Sequence, residues 1–345
     1  MNIERFGALS RWPIAVAPMA GGPSTVDLVL AALEAGAFAF LAGGYKTADA
    51  LAAEMAGVQA GTDRPFGVNL FVPGEPTESP AALASYVSSL GPDAAALGVE
   101  LGEARWDDDD YPAKVAMLSA DPPALVSFTF GCPSAEVVTA LQEKGTLVAV
   151  TVTTPEEAMV ALRFGVDALC LQGCEAGAHR GHFENDDRPD QDRPLYALLA
   201  SVARRTRLPL LAAGGVMTSD DVVRVLRSGA VMAQLGTAFL RCPESGTHAV
   251  AKASMADPLF ERTGVTRAYS GRRARGLVND FMVERGSSAP AAYPEINNVT
   301  RPLRAAAAAA GDPHRMSLYA GASYRLARAV PVAEVVADLV SGLPA

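Results

Sequence analysis

With 345 residues, half of them hydrophobic and 19% charged, the chain can bury a sizeable core and is not globally disordered. A formal charge of −9 argues against the basic stripe of a nucleic-acid binder. No apolar run reaches the roughly 18 residues of a membrane span, no basic stretch leads into an apolar core at the N-terminus, and the cysteines at 132, 170, 174 and 242 form no CxxC pair. A reduced, cytoplasmic protein acting on small molecules, with no membrane and no nucleic-acid partner, is expected.

From residue 14 onward, short apolar runs alternate with helical patterns. Eight runs read as strands: 14–19, 38–44, 66–72, 125–131, 146–152, 166–173, 209–215 and 231–240. Between them 25–35, 48–60, 81–90, 135–144, 155–164, 195–206 and 219–228 carry helical periodicity. Several open on capping residues, among them Ser24 or Thr25, Thr154 and Thr218. Strands apolar on both faces call for a parallel sheet covered by helices, and eight strand–helix units favour closure as an α/β fold of the (β/α)8 TIM-barrel type. The first strand runs into residues 17–23 without a GxGxxG, so the usual dinucleotide fingerprint is missing.

Two segments depart from this repeat. Residues 93–123 lengthen the third unit and carry Asp107, Asp108, Asp109 and Asp110 between Trp106 and Tyr111. The tetrad lacks the alternating ligands and glycine of a calcium loop, so a solvated loop is expected and no metal site. After the eighth strand, residues 243–311 show no strand-like run, only helical stretches and arginines at 262, 267, 272, 273 and 275. The expected organisation is a barrel over 1–242, a mostly helical lobe over 243–311 lying across the barrel mouth, and a segment 312–345 returning to the barrel. Each arginine, read singly, is expected on a solvated or ion-paired face.

In such barrels function gathers at the carboxyl ends of the strands. Those ends supply Met19, Asn69, the loop from Gln172 through Gly177 and His179, the pair Gly214 and Gly215, and Gln234, Leu235, Gly236 and Thr237. The glycines after strands seven and eight suit a phosphate held by backbone N–H groups. Asn69 and Gln172 are amides that donate and accept, as the edge of a flavin ring requires. Together these imply FMN rather than FAD, since there is one phosphate cradle and no second. His179 is the candidate base, with His182 as its competitor and Glu175 and Arg180 expected as a surface ion pair. Each feature also has a plainer reading as a turn glycine, a capping histidine or a satisfied structural amide.

The segments Ala17-Pro-Met-Ala-Gly-Gly-Pro23, Gly67-Val-Asn-Leu-Phe71, Gln172-Gly-Cys-Glu-Ala-Gly-Ala-His-Arg-Gly181, Ala212-Ala-Gly-Gly215, Gln234-Leu-Gly-Thr237 and Thr266-Arg-Ala-Tyr-Ser-Gly-Arg-Arg-Ala-Arg-Gly276 resemble, in order and spacing, the nitronate monooxygenase family, formerly called 2-nitropropane dioxygenases. The resemblance implies an FMN-bound barrel that oxidises alkyl nitronates with O2 to a carbonyl compound and nitrite, with neutral nitroalkanes as a further candidate substrate. It also implies His179 as the catalytic histidine and Asn69, Gln172, Gly177, Gly215 and Gln234 to Thr237 as flavin contacts. Two positions depart from the family pattern. Ala178 stands where a third glycine is common, and Tyr319-Ala-Gly-Ala322 replaces Trp-Ala-Gly-Gln, which bears on pocket shape and substrate size. Two alternatives stay open: an NAD(P)H-dependent FMN reductase of the quinone or enoyl-acyl-carrier-protein type, and a catalytically silent flavin-binding module.

Overall fold

Eight parallel strands close on themselves in a computed structural model that describes residues 2–186 and 192–344. The strands of the chain are β1 (Ile14–Val16), β2 (Phe38–Ala42), β3 (Gly67–Phe71), β4 (Leu125–Thr129), β5 (Leu147–Val152), β6 (Ala168–Gln172), β7 (Ala178–His179), β8 (Leu210–Ala213), β9 (Met232–Leu235), β10 (Thr263–Thr266) and β11 (Ala274–Leu277). The barrel runs β1-β2-β3-β4-β5-β6-β8-β9, and β1 closes it by pairing with both β2 and β9. This is the (β/α)8 architecture expected from the sequence.

Burial on both faces accounts for the unbroken apolar strands. All six residues of β5 are buried. The strand-opening residues Phe38, Leu125, Leu147 and Met232 share one cluster with Phe6 and Leu9. The opening helix Asn2–Gly7 thus plugs the amino-terminal end and leaves the carboxyl end for chemistry. A second layer sets Val68, Val126, Val148 and Leu169 against Leu51, Val138, Leu198 and Val222 of the outer helices. The last helix, Val332–Val340, adds Val332, Val336 and Leu339 to that layer. Thr154 and Thr218 each form a complete capping box at the start of their helices.

The segment after β9 differs from the expectation of no strands. β10 and β11 pair antiparallel, and β11 pairs in turn with β7, giving a three-stranded sheet of order β10-β11-β7. Strands of four and two residues are too short to show a period, and the sequence Thr-Gly-Val-Thr has no apolar face to betray one. Helices Asp280–Arg285 and Glu295–Ala309 complete the lobe. Its core of Tyr269, Phe281, Ile296, Val299 and Leu303 also takes in Leu83, Tyr86 and Leu90 from the excursion after β3.

The acidic tetrad is not the solvated loop its composition suggested. All four carboxylate residues are half-buried. Asp109 accepts from the Tyr45 N–H and Asp110 from the Ala48 N–H, both at 2.7 Å. Asp107 accepts from the Asn298 amide at 2.9 Å, and the Lys114 ammonium, fully buried, stands 2.9 Å from Asp109. The run therefore ties the third unit to the start of helix Ala48–Gly61 and to the lobe.

Asp93 is the corresponding clamp inside the lobe. Only 3% exposed, its carboxylate meets Arg285 at 2.6 Å and Arg315 at 2.9 Å. Removing one member of a buried pair leaves the others uncompensated, here with partly exposed guanidiniums that water can reach. Asp93→Ala should lower stability by about 2–4 kcal/mol, read as a lower urea midpoint. An unchanged midpoint would show that the lobe is not clamped there.

Candidate active site

At the carboxyl end of the barrel lies a cavity of about 1260 Å³, measured to its open mouth. Met19, Asn69, Gln172, Gly177, His179, Gly214, Gly215, Gln234, Leu235, Gly236 and Thr237 all line it. The strand-end rule therefore collected residues that the fold does bring together. It missed Tyr45, Phe71, Phe130 and Tyr319, which line the same cavity. Phe71 ends β3 and Phe130 follows β4, so their positions were legible while their apolar character disguised them as core.

One part of this cavity is lined by backbone donors. The backbone N–H groups of Gly214, Gly215, Gly236 and Thr237 have no hydrogen-bond partner among the described residues. Gly214 and Gly215 hold φ of 112° and 74°, which turns successive amides in a way a side chain would resist. These residues are half-buried, and donors that face a cavity find their partners in water or a ligand. The donor set fits a phosphate group.

The loop after β6 is held from within and from the lobe. Gln172 donates to the His179 carbonyl at 3.0 Å and accepts from Gly181 N–H at 2.8 Å and from Arg180 at 2.9 Å. Its amide is thus largely spent on shaping the loop, leaving one N–H for the cavity. Gly177 is required by close approach, because a Cβ there would meet Ala320 and Gly321 backbone at 2.5 Å. Ala178 sits at φ 60°, in the left-handed region, at a cost of about 1 kcal/mol. Pairing with β11 offsets that strain: Ala178 faces Arg275, His179 faces Ala274, and the Arg180 N–H reaches the Arg273 carbonyl at 2.8 Å.

The expected surface ion pair of Glu175 with Arg180 does not form. Glu175 accepts from the Leu195 N–H at 3.1 Å, while Arg180, 1% exposed, binds Asp192 at 3.1 Å and the Gly173 carbonyl at 2.7 Å. Of the lobe arginines, Arg262 is exposed and Arg273 is ion-paired, as expected, but Arg267 and Arg272 are buried. Arg272 is buried and donates to the carbonyls of Arg180 and His182, with its guanidinium 4.0 Å from the Phe130 ring centroid. Arg273 pairs with Asp192, and Arg275 donates to the Cys174 carbonyl at 2.9 Å. These counterparts lie some 80 to 100 positions upstream, beyond any local pattern.

His179 Nε2 lies 2.7 Å from Ser270 Oγ, and the imidazole is ringed by Phe130, Tyr293 and Tyr319 at centroid distances of 5.8, 5.7 and 5.4 Å. Burial, reinforced by the positive charges of Arg272 and Arg304, pushes its pKa down to about 3. The ring is therefore neutral at physiological pH. His182 lies three positions further on in a different environment. Its Nδ1 is 2.5 Å from Thr153 Oγ1 and its Nε2 3.4 Å from Asp192, with Glu157 at 3.7 Å. Burial would lower its pKa, but the two carboxylates outweigh burial and raise it. His182 is outside the cavity lining.

The chain is similar to known proteins over nearly its whole length. The family profile described as nitronate monooxygenase matches residues 6–342. The nitronate monooxygenase of Pseudomonas aeruginosa is 38% identical over 340 residues, covering 96% of each chain. That of Paraburkholderia phytofirmans is 36% identical over 335 residues, covering 95% of this chain and 91% of its own. Among solved structures, nitroalkane oxidase from Streptomyces ansochromogenes superposes with a TM-score of 0.96 at 46% identity, covering 98% of this chain and 97% of its own. FabK from Thermotoga maritima shares the fold, with a TM-score of 0.73 at 24% identity over 98% of this chain and 94% of its own.

The two histidines should titrate in opposite directions from the ordinary value near 6.5. His179, depressed when folded, contributes stability that is complete above about pH 6.5 and is lost as pH falls toward its folded value near 3. His182, raised when folded, contributes stability that is complete below about pH 6.5 and is lost as pH rises through its folded value. In imidazole NMR titrations, His182→Asn should delete a resonance that titrates above about pH 6.5. His179→Asn should delete one that stays neutral down to about pH 5. The reverse assignment would overturn this electrostatic description.

Proposed function

The chain belongs to the nitronate monooxygenase family, and from that premise we propose that it uses FMN to oxidise alkyl nitronates, and neutral nitroalkanes after loss of their α-proton, with O2 to the carbonyl compound and nitrite. One observation carries this reading. A single cavity holds both a neutral imidazole, His179, and four unpartnered backbone N–H groups.

Gly214, Gly215, Gly236 and Thr237 would hold the phosphate through those N–H groups. With one such cradle the mononucleotide FMN is favoured over FAD. Asn69 donates its amide to Ser127 and Thr129, so its oxygen is left for the polar edge of the ring, beside the remaining N–H of Gln172 and the amide of Gln234. Met19 adds a thioether surface, and Gly177 and Leu235 border the cavity as well. Bound there, FMN supplies the redox chemistry, taking electrons from the nitronate and passing them to O2.

His179 acts as the base toward neutral nitroalkanes. Ser270 Oγ donates to the Arg272 carbonyl at 3.2 Å, so it accepts from His179 Nε2–H and leaves the basic lone pair on Nδ1. Burial makes this a weak base while the cavity lacks an anion. As the α-proton moves, negative charge appears on the nitro group beside the new imidazolium, and each offsets the desolvation of the other. The buried Arg272 guanidinium adds to the positive field in which the nitronate forms.

Purified protein should release FMN, and no FAD, on denaturation. Ethyl nitronate should reduce the bound flavin anaerobically, and bleaching by NAD(P)H without bleaching by nitronates would instead support a reductase. His179→Asn should retain FMN and lose neutral-nitroalkane activity by about 10²–10⁴-fold, the usual worth of a general base. Nitronates arrive deprotonated, so their oxidation should fall less. His182→Asn should be the milder change on both substrates, and the opposite ranking would remove His179 from the role of base.

A further inference from the structure

A second, smaller space of about 360 Å³, measured out to its open side, adjoins the catalytic cavity. Among the described residues, Tyr45 and Phe71 line both spaces and so form the partition between them. Beyond it, Val72, Pro73, Tyr293 and Pro294 supply an apolar side, and Asp107, Asp108, Asp109, Asn297 and Asn298 a polar one.

The partition is anchored from several sides. Tyr45 is held at φ 67°, a conformation that a bulky residue adopts only when its surroundings impose it. Asp109 imposes it by accepting from the Tyr45 N–H at 2.7 Å, and Asp109, itself at φ 55°, is gripped by the buried Lys114. The Tyr293 hydroxyl donates to the Tyr45 hydroxyl at 3.3 Å. Phe71 lies so close to the main chain at Gly44 that a Cβ there would meet its ring at 2.2 Å.

This wall is continuous with the proton acceptor. Ring centroids run from Tyr45 to Phe71 at 5.6 Å, Phe71 to Phe130 at 4.5 Å and Phe130 to Tyr293 at 5.4 Å. The His179 ring is in contact with both Phe130 and Tyr293. A carbon that gives its proton to His179 is therefore one ring away from the partition, and an alkyl chain extending toward it is stopped after a few carbons.

We propose that Tyr45, braced by Tyr293, limits the alkyl chain length of the substrate, and that longer chains would extend past it along the apolar side of the space behind. This inference rests on the nitronate reading of the cavity. Tyr45→Ala joins the two spaces, while Tyr45→Phe keeps the ring and removes only the hydroxyl contact. Wild type should prefer ethyl over octyl nitronate in kcat/KM. Tyr45→Ala should raise the octyl-to-ethyl ratio at least about tenfold, the scale on which apolar pockets discriminate methylenes, and Tyr45→Phe should leave it within about twofold.

A binding measurement independent of turnover uses propionate and octanoate, which match nitronates in charge and planar shape but are not oxidised. By calorimetry the octanoate-to-propionate affinity ratio should rise in Tyr45→Ala and stay level in Tyr45→Phe. A Tyr45→Ala protein with wild-type flavin content and melting temperature that keeps the wild-type ratios in both assays would overturn the proposal, as would a wild type that already prefers the long chain. Should the alanine variant not fold, Tyr45→Leu carries the same comparison. Failure of wild type to oxidise any nitronate would sink the functional reading instead, and the carboxylate ratios would still decide the role of Tyr45.

Discussion

The pairing of β7 with β11 is the contact on which the barrel mouth depends. It is only two residues long, Ala178 opposite Arg275 and His179 opposite Ala274. A strand that short has no stability of its own. It persists because the Arg180 N–H and Arg272 side chain extend the connection, and because β10 continues the sheet on the other side. A slip of one residue would turn His179 to the opposite face, away from Ser270 and out of the aromatic ring set around it. The same register that covers the mouth therefore fixes the orientation of the imidazole.

Burial of this junction governs its electrostatics. Arg180 and Arg272 are almost fully enclosed, an arrangement that persists only where carbonyls, a carboxylate or an aromatic face replace water. Arg180 and Arg273 both converge on Asp192, whose pKa is lowered because its bond to His182 and these two positive charges outweigh its burial. On the other side of the loop no carboxylate among the described residues shifts His179, so burial and the arginine field act together to keep it neutral. Two histidines three positions apart are thus driven in opposite directions by environments that the loop separates.

Backbone strain gathers at the same place. Five non-glycine residues among those described have positive φ, and Tyr45, Phe130 and Ala178 among them line the cavity. The other two, Asp109 and Asp110, hold the segment that begins at Tyr45. Strain of this kind survives where surrounding bonds over-determine the chain, as they do at the mouth of this barrel.

The barrel was legible in the sequence because its signals are local. A strand buried on both faces must be apolar throughout, as Leu147–Val152 is, and its helix must show a 3.6-residue period and a cap such as Thr154. The glycines at 214, 215 and 236 were legible for a related reason, since they stand directly after apolar runs where only a barrel mouth would place them. The lobe sheet, the burial of Arg180 and Arg272, the half-buried acidic tetrad and the Tyr45 partition were decided by tertiary structure alone. Each depends on a partner far away in the chain: Arg275 for Ala178, Asp109 for Tyr45, Arg285 for Asp93. Periodicity reports which face of one segment is buried, and it carries no information about which distant charge, ring or carbonyl will meet that face.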